Sequence, residues 1–383
     1  MFVRTRRAGV AVLVTLAASR SLTAQAATRL PDQRYTGEDT RTPLGHVGAA
    51  VLDARGTVYV LDQSNFVIHV AKGAAQLRLL SRKGRGPGEM QSARFMGWRG
   101  DSLWLTDASL ARVTVFPLPT GRVRTEPLLP PNVRGFQSLL PVGYGASAAV
   151  YLGVNQDGDS RVTGVRNDVA LFLSRPSRLD TVAVLSRTNT SLQVSVLLNG
   201  QPATLFADQP FALMPHWDVG RVNAGIAVVD LQTQSASTIT LRVRQWSNDG
   251  TLTRTCSVVR PARPMTAAAF EAGVQSLGPP PSGREYVKPD WPAVRRAVTR
   301  PAWLPAVRGV RFASDGTIWL RTEASLLEAT EEYVVLPSTG CGSPRTVRLP
   351  IGHLVQDARG PIVITSGFDD DVPVIDRWRY RSP

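Results

Sequence analysis

Gly56-Thr-Val-Tyr-Val-Leu-Asp62 followed by Phe66-Val-Ile-His-Val70 is answered further along by Asp101-Ser-Leu-Trp-Leu-Thr-Asp107 followed by Leu110-Ala-Arg-Val-Thr-Val-Phe116. In each copy a turn feeds a short apolar strand that ends in Asp, and a second strand returns after a few polar residues. A small antiparallel unit repeated in this way indicates a radially repeated β architecture. Around the first copy, Ala49-Ala-Val-Leu-Asp53, Thr57–Leu61, Phe66–Val70 and Gln76–Leu80 form four consecutive strands. The breaks between them carry Asp, Gly, Asn or Ser, residues that close tight turns. Four-stranded units in series are the blades of a propeller.

The second unit runs from Phe95 through Leu103–Thr106 and Val113–Phe116 to Arg122–Thr125. Between the two units lies Gly84-Arg-Gly-Pro-Gly-Glu-Met90, in which Gly84, Gly86, Pro87, Gly88 and Glu89 suit a sharply turned crossover from one blade to the next. No Lys-Ser/Thr follows and no helix opens there, so the loop is not a phosphate cradle. Ala146–Val154, Val169–Leu173 and Thr181–Leu185 suggest a third blade, with insertion material from Arg187 to Phe206. A fourth begins at Pro210-Phe-Ala-Leu-Met-Pro215, continues through Asn223–Asp230 and Ile239–Gln245, and returns along Thr251–Val259 after an Asn248-Asp-Gly250 turn. Met265–Leu277 and Trp291–Thr299 read as short helices within an insertion at about 264–302, divided by Gly278-Pro-Pro-Pro281. Val310–Leu320, Glu332–Leu336 and Thr346–Leu349 make a fifth blade, and Gly352–Asp357, Pro361–Thr365 and Asp376–Tyr380 a sixth. The expected fold is all-β: a six-bladed propeller of four-stranded antiparallel blades, with a helical insertion between blades 4 and 5. A strand from the N-terminal lead is expected to pair with the last blade and close the ring.

Residues 1–26 read as a secretory signal. Arg4, Arg6 and Arg7 form a basic start, Ala8–Ala18 is apolar but too short to span a bilayer, and Ala24-Gln25-Ala26 offers small-x-small cleavage after Ala26. The propeller domain then occupies 27–383, and the expected location is periplasmic or secreted. No later stretch is apolar for long enough to cross a membrane. The formal charge is +14, and Lys72, Lys83 and Lys288 are the only lysines. This arginine skew comes without a basic block or an aromatic–basic ladder, which argues against nucleic acid as a partner. Cys256 and Cys341 in an exported chain are a candidate disulfide, the alternative being two free buried thiols. His46, His69, His216 and His353 are scattered, without zinc-ligand spacing.

Three stretches carry a resemblance: Gly84-Arg-Gly-Pro-Gly-Glu89, Leu304-Pro-Ala-Val307 before Asp315-Gly-Thr-Ile-Trp319, and Asp369-Asp-Asp-Val-Pro-Val-Ile-Asp-Arg-Trp-Arg-Tyr380. Together they resemble the exported bacterial six-bladed β-propeller proteins with NHL-like blades, an uncharacterised family. The resemblance implies a fold and an extracytoplasmic location, with no transferable active site. Arg112-Val113 keeps the Arg-Val that NHL-like blades place in the third strand, whereas Val67-Ile68 lacks the Arg.

Asp62 and Asp107 read as turn acceptors in preference to paired catalytic acids. Asp369-Asp370-Asp371 reads as a solvated turn, with Ca²⁺ ligation by its hard oxygens as the alternative; no other cofactor and no metal site is expected. Asn155-Gln-Asp-Gly-Asp159 reads as a turn. No Gly-x-Ser-x-Gly elbow occurs, so no catalytic residue is assigned. His216-Trp217-Asp218 is the candidate binding stretch, because inter-blade segments border the central channel. Trp98, Trp217, Trp303, Trp319 and Trp378 read as blade packing, with one or two near a rim as a stacking surface. The expected function is a monomeric binding module for a protein, peptide, glycan or small ligand. A channel-mouth enzyme of the lactonase, lyase or dehydrogenase type is the alternative, resting on fold alone.

Overall fold

A computed structural model describes residues 25–26, 31–36, 42–72, 75–118, 120–128, 138–154, 169–175, 178–185, 191–198, 201–208, 210–211, 215–275, 291–328 and 330–380. The Asn155–Asp159 turn and nearly all of the expected signal segment fall outside these. Six four-stranded antiparallel sheets form the ring of a six-bladed propeller. Blade 1 comprises Val47–Leu52, Val58–Asp62, Val67–Lys72 and Ala75–Leu80. Blade 2 comprises Ala93–Arg99, Ser102–Asp107, Arg112–Pro117 and Arg124–Pro127. Blade 3 follows with Ser138–Tyr144, Ala149–Val154, Val169–Arg175 and Arg178–Leu185. Blade 4 is His216–Val219, Ile226–Gln234, Thr238–Trp246 and Leu252–Pro261. Blade 5 is Gly309–Phe312, Ile318–Arg321, Thr330–Leu336 and Arg345–Pro350. Blade 6 is Leu354–Arg359, Ile362–Asp369 and Val372–Arg379, completed on its outside by Gln33–Tyr35 from the chain start.

Alternation along each strand sends apolar side chains to both faces of every blade, so each blade is buried against two neighbours. Separate apolar cores fill the seams between blades 1 and 2, 2 and 3, 3 and 4, 4 and 5, 5 and 6, and 6 and 1. A filled seam between the last blade and the first is the energetic meaning of closure: no blade presents an uncovered apolar face there. Cys256 on the outer strand of blade 4 is bonded to Cys341 in the last turn of blade 5, with Cα atoms 5.4 Å apart. Gln25–Ala26 run parallel to Val347–Arg348 on the outer edge of blade 5, a pairing that a chain beginning after Ala26 would lack.

Three details differ from the sequence reading. Blade 3 has a first strand, Ser138–Tyr144, that the sequence reading lacked. The expected insertion from Arg187 to Phe206 contains regular structure that the sequence reading did not assign: Ser191–Leu198 and Gln201–Asp208 pair as a hairpin. Blade 4 starts at His216, not at Pro210, because Phe211 is spent elsewhere: its ring stacks on Phe270 at 5.6 Å and lies over Gly273 of the helix Ala267–Gln275. A second helix, Trp291–Arg296, occupies the other expected place. The hairpin and both helices sit in connections from a fourth strand to the next first strand, and such connections leave every blade on one side of the disc. Among the described residues the opposite side carries only short turns between first and second strands and between third and fourth strands. This is the bare side of the disc as far as the described residues show it.

Candidate functional site at the channel mouth

The repeated acids are turn organisers. Asp62 accepts from the backbone N–H groups of Gly45, His46, Ser64 and Asn65 at 2.8–3.2 Å. Asp107 accepts from Gln91, Ser92 and Leu110 at 2.6–3.1 Å. Each carboxylate thereby ties the turn after its own strand to the segment entering the blade's first strand. Burial pushes the Asp62 carboxyl up, but bonds from His69, Gly45 and Asn65 outweigh it and hold the group well below the usual carboxylate range. Behind it, His69 lies between Asp62 Oδ2 (3.3 Å from Nε2) and the Tyr35 hydroxyl (2.9 Å from Nδ1). Burial, then the charge of Asp62, pushes the Tyr35 phenol up to about 12, so it keeps its proton and donates to Nδ1. Nε2–H is then left to donate to Asp62. The loop Gly84–Glu89 is likewise held from within. Arg112 donates to the carbonyls of Arg85, Gly86 and Glu89 at 2.7–2.8 Å, and Glu89 accepts from Gly86 N–H and Arg82. Asp370 and Asp371, both at positive φ, form the two-residue turn of a hairpin, while Asp369 pairs with Arg34.

His216, Trp217 and Asp218 do not converge. They occupy the first strand of blade 4, where alternation turns Trp217 toward the core shared with blade 3 and its neighbours toward blade 5. His216 Nε2 is 3.1 Å from the carbonyl of Val307. Asp218 Oδ2 accepts from Phe312 N–H at 2.8 Å, and its other oxygen lies 3.5 Å from both Arg221 and Arg311. Among the described residues no His/Cys/Asp/Glu cluster has metal-binding geometry. Trp319 and Trp378 are fully buried and donate to Thr317 and Thr365.

The channel itself is filled by a turn. Gly220–Gly225, between the first two strands of blade 4, reaches across to the first strand of blade 2. There Trp98 N–H donates to Arg221 C=O at 2.6 Å and Asn223 N–H donates to Trp98 C=O at 3.0 Å. Gly97 permits this approach, because a Cβ there would stand 2.7 Å from the Arg221 carbonyl oxygen and from the Trp104 ring. The Arg221 guanidinium is enclosed among the first strands of blades 4, 5 and 6. Burial pushes it down, Asp218 and Asp357 support its charge, and Arg311 opposes it. Asp357 is fully buried; it accepts from Leu52 N–H, Ser314 N–H, Ser314 Oγ and Ala358 N–H at 2.6–2.8 Å. Burial nonetheless pushes its carboxyl up. The channel acids are therefore committed to backbone donors and an internal arginine.

Above this plug, on the bare side, lies a pocket of about 450 Å³. Trp98, Leu118 and Val222 supply apolar wall. Arg55, Arg78 and Arg359 supply cations, Asp53 and Asp101 anions, and Tyr59 a phenol. The Tyr59 and Trp98 rings meet edge to face at 5.0 Å. Asp53 Oδ1 accepts from Arg55 N–H and Thr57 N–H at 2.8 Å, which shapes the turn carrying Arg55. Burial and then Asp53 push the Tyr59 phenol up, against Arg78 and Arg55. A second cleft, of about 330 Å³, lies at the seam of blades 5 and 6, but its one arginine, Arg345, is engaged with Tyr380. Sequence reasoning named Trp98 and missed the rest of the mouth. The available signal was positional: Asp53–Gly56, Gly100–Asp101, Gly220–Gly225 and Arg359–Gly360 are the same first-to-second-strand turn in four different blades.

No family model matches the sequence, and no curated protein matches it either. Solved structures are similar over most of the chain. One, from Bacteroides fragilis and named only for its inferred export, is 10% identical, with 94% of this chain and 99% of that one covered and a TM-score of 0.41. Virginiamycin B lyase from Staphylococcus aureus is 10% identical, covering 87% and 94%, with a TM-score of 0.37. YCF48 bound to a D1 peptide is 9% identical, covering 88% and 95%, with a TM-score of 0.35. At such identities the likeness concerns the fold alone. Among the described residues no helix is long and apolar enough to cross a membrane.

Proposed function

We propose that this protein is an exported, extracytoplasmic binding module whose ligand seats in the channel-mouth pocket on the bare side of the disc. The observation that carries this reading is the pocket's composition above a closed channel: three arginines, two carboxylates and an aromatic pair around about 450 Å³. That volume lies within the range of small-ligand sites, about 300–1,000 Å³. Deeper in the channel, Asp218 and Asp357 are already bonded to backbone N–H groups and flanked by Arg221, so they are not free to act on a ligand in the pocket. Binding is therefore the reading with more support. The test is a glycan and peptide array probed with the protein and with Ala54→Trp, which places a bulky side chain in the pocket from an exposed turn. Loss of the bound spots in the variant supports the reading. Binding that is indifferent to Ala54→Trp, or an array with no bound spots, overturns it.

A further inference from the structure

Resting on that binding reading, we infer that the mouth pocket takes a sugar-borne oxyanion, a uronate or a sugar phosphate, held by Arg55, Arg78 and Arg359. Elsewhere in the molecule guanidiniums find carboxylates: Arg34 bonds Asp376, Arg242 bonds Asp230, and Arg321 bonds Glu331 through two nitrogens. The three pocket arginines form no ion pair with any described residue, although Asp53 and Asp101 line the same pocket. Cations that a fold gathers around one concavity without neutralising them are suited to an external oxyanion, and the guanidinium fork bonds carboxylate and phosphate alike.

The remaining lining distinguishes a sugar from a simple anion. Asp101 is exposed, and one Asp53 oxygen is occupied by its own turn while the other accepts no hydrogen bond from a described residue. Carboxylates beside an anion site repel a second negative charge but accept well from hydroxyls. Tyr59 lines the pocket, and its phenol is a donor. Half-buried Leu118 and Val222, with the small exposed part of the otherwise buried Trp98, give the apolar surface on which the C–H face of a pyranose can rest. The Trp98 indole Nε1 is itself buried and has no partner among the described residues. One anionic group, several hydroxyls and an apolar face are the features of an acidic sugar.

The experiment is isothermal titration of the full mature chain with four probes: digalacturonate, glucose 6-phosphate, cellobiose and tetraglutamate. At least one acidic sugar is expected to bind, with cellobiose at least ~10-fold weaker and Arg359→Gln weakening the acidic sugar by about 10-fold, the range of a lost charge-assisted bond. Affinity is expected to fall between 50 mM and 500 mM salt as the charges are screened. Which acidic sugar binds separates the carboxylate from the phosphate source. Thermal melts of Arg359→Gln and of the triple variant with Arg55→Gln and Arg78→Gln establish that both are folded. Binding of cellobiose or tetraglutamate as tight as either acidic sugar overturns the inference, as does acidic-sugar binding that survives the triple variant. In those cases sensitivity to Ala54→Trp leaves the pocket reading standing; absence of binding to all four probes overturns this inference, and the array with Ala54→Trp decides the pocket reading by itself.

Discussion

Single side chains hold the repeat in shape. Asp62 and Asp107 occur at matching places in two blades, and each spans the gap between a turn and the segment entering its own blade. Their role was legible because a turn-capping carboxylate acts on N–H groups close in sequence; the reach back to Gly45 and Gln91 was not, since it depends on the hairpin having formed. Replacing Asp62 by Ala leaves the N–H groups of half-buried Gly45 and of exposed His46, Ser64 and Asn65, together with the buried His69 ring, without their charged acceptor, at a cost of roughly 2–4 kcal/mol near neutral pH. The folded-state carboxyl is depressed, so its stabilisation is fully present above the unfolded value of about 3.9. It is lost as pH falls through the lower folded value. Melting curves of wild type and Asp62→Ala should therefore differ by several degrees at pH 7 and approach each other below about pH 4. A gap that stays constant down to pH 2 would show that the charge of Asp62 is not what stabilises the turn.

Turns and strands obey local chemistry unless a neighbour overrides it. The second-to-third-strand turns of blades 1 and 2 both put the fourth residue after the Asp in the left-handed region, Phe66 at φ 59° and Ala111 at φ 46°. A side chain there costs about 1–2 kcal/mol. Phe66 recovers something by packing on the seam core and under Lys83, whereas Ala111 has little to gain. Ala111→Gly should accordingly raise stability by about 0.5–1 kcal/mol after allowing for the freer unfolded chain. Urea denaturation with an unchanged m-value checks it, and a loss of stability would place the strain elsewhere. The sequence reading failed where an element broke its own rules. Ser138–Tyr144 contains Pro141 and Gly143, which argue against a strand. The structure accepts both because a first strand pairs on one edge only, and the pairing slips between these two residues. Phe211 failed in the opposite sense: it stands in an apolar run typical of a strand, but its ring stacks on Phe270 of the helix.

At the scale of the whole molecule, closure is the decisive event. Gln33–Tyr35 pair with Asp376, Ile375 and Arg377 of the last blade, Arg34 bonds Asp376 through two nitrogens, and Tyr35 enters the core between blades 6 and 1. A chain lacking residues up to Thr36 exposes the edge of Val372–Arg379, and exposed edges pair with other chains. Such a truncation should melt roughly 5–10 °C lower and associate at concentrations where the intact chain is monomeric, as read by calorimetry and light scattering. An unchanged melt would mean that the three-strand blade suffices. The amino-acid sequence by itself determined the blades: strand alternation, turn residues and the spacing of Asp62 and Asp107 act over a few positions and survive without knowledge of distant partners. It also marked Trp98 and the crossover at Gly84–Glu89. Only the tertiary structure decided what the ring encloses. Arg359 comes beside Asp53 because blade 6 packs on blade 1, as the bond from Leu52 N–H to Asp357 shows. Arg221 closes the channel because Gly97 lets the turn from blade 4 approach blade 2. Those encounters join residues far apart along the chain, and no periodicity within one blade encodes them.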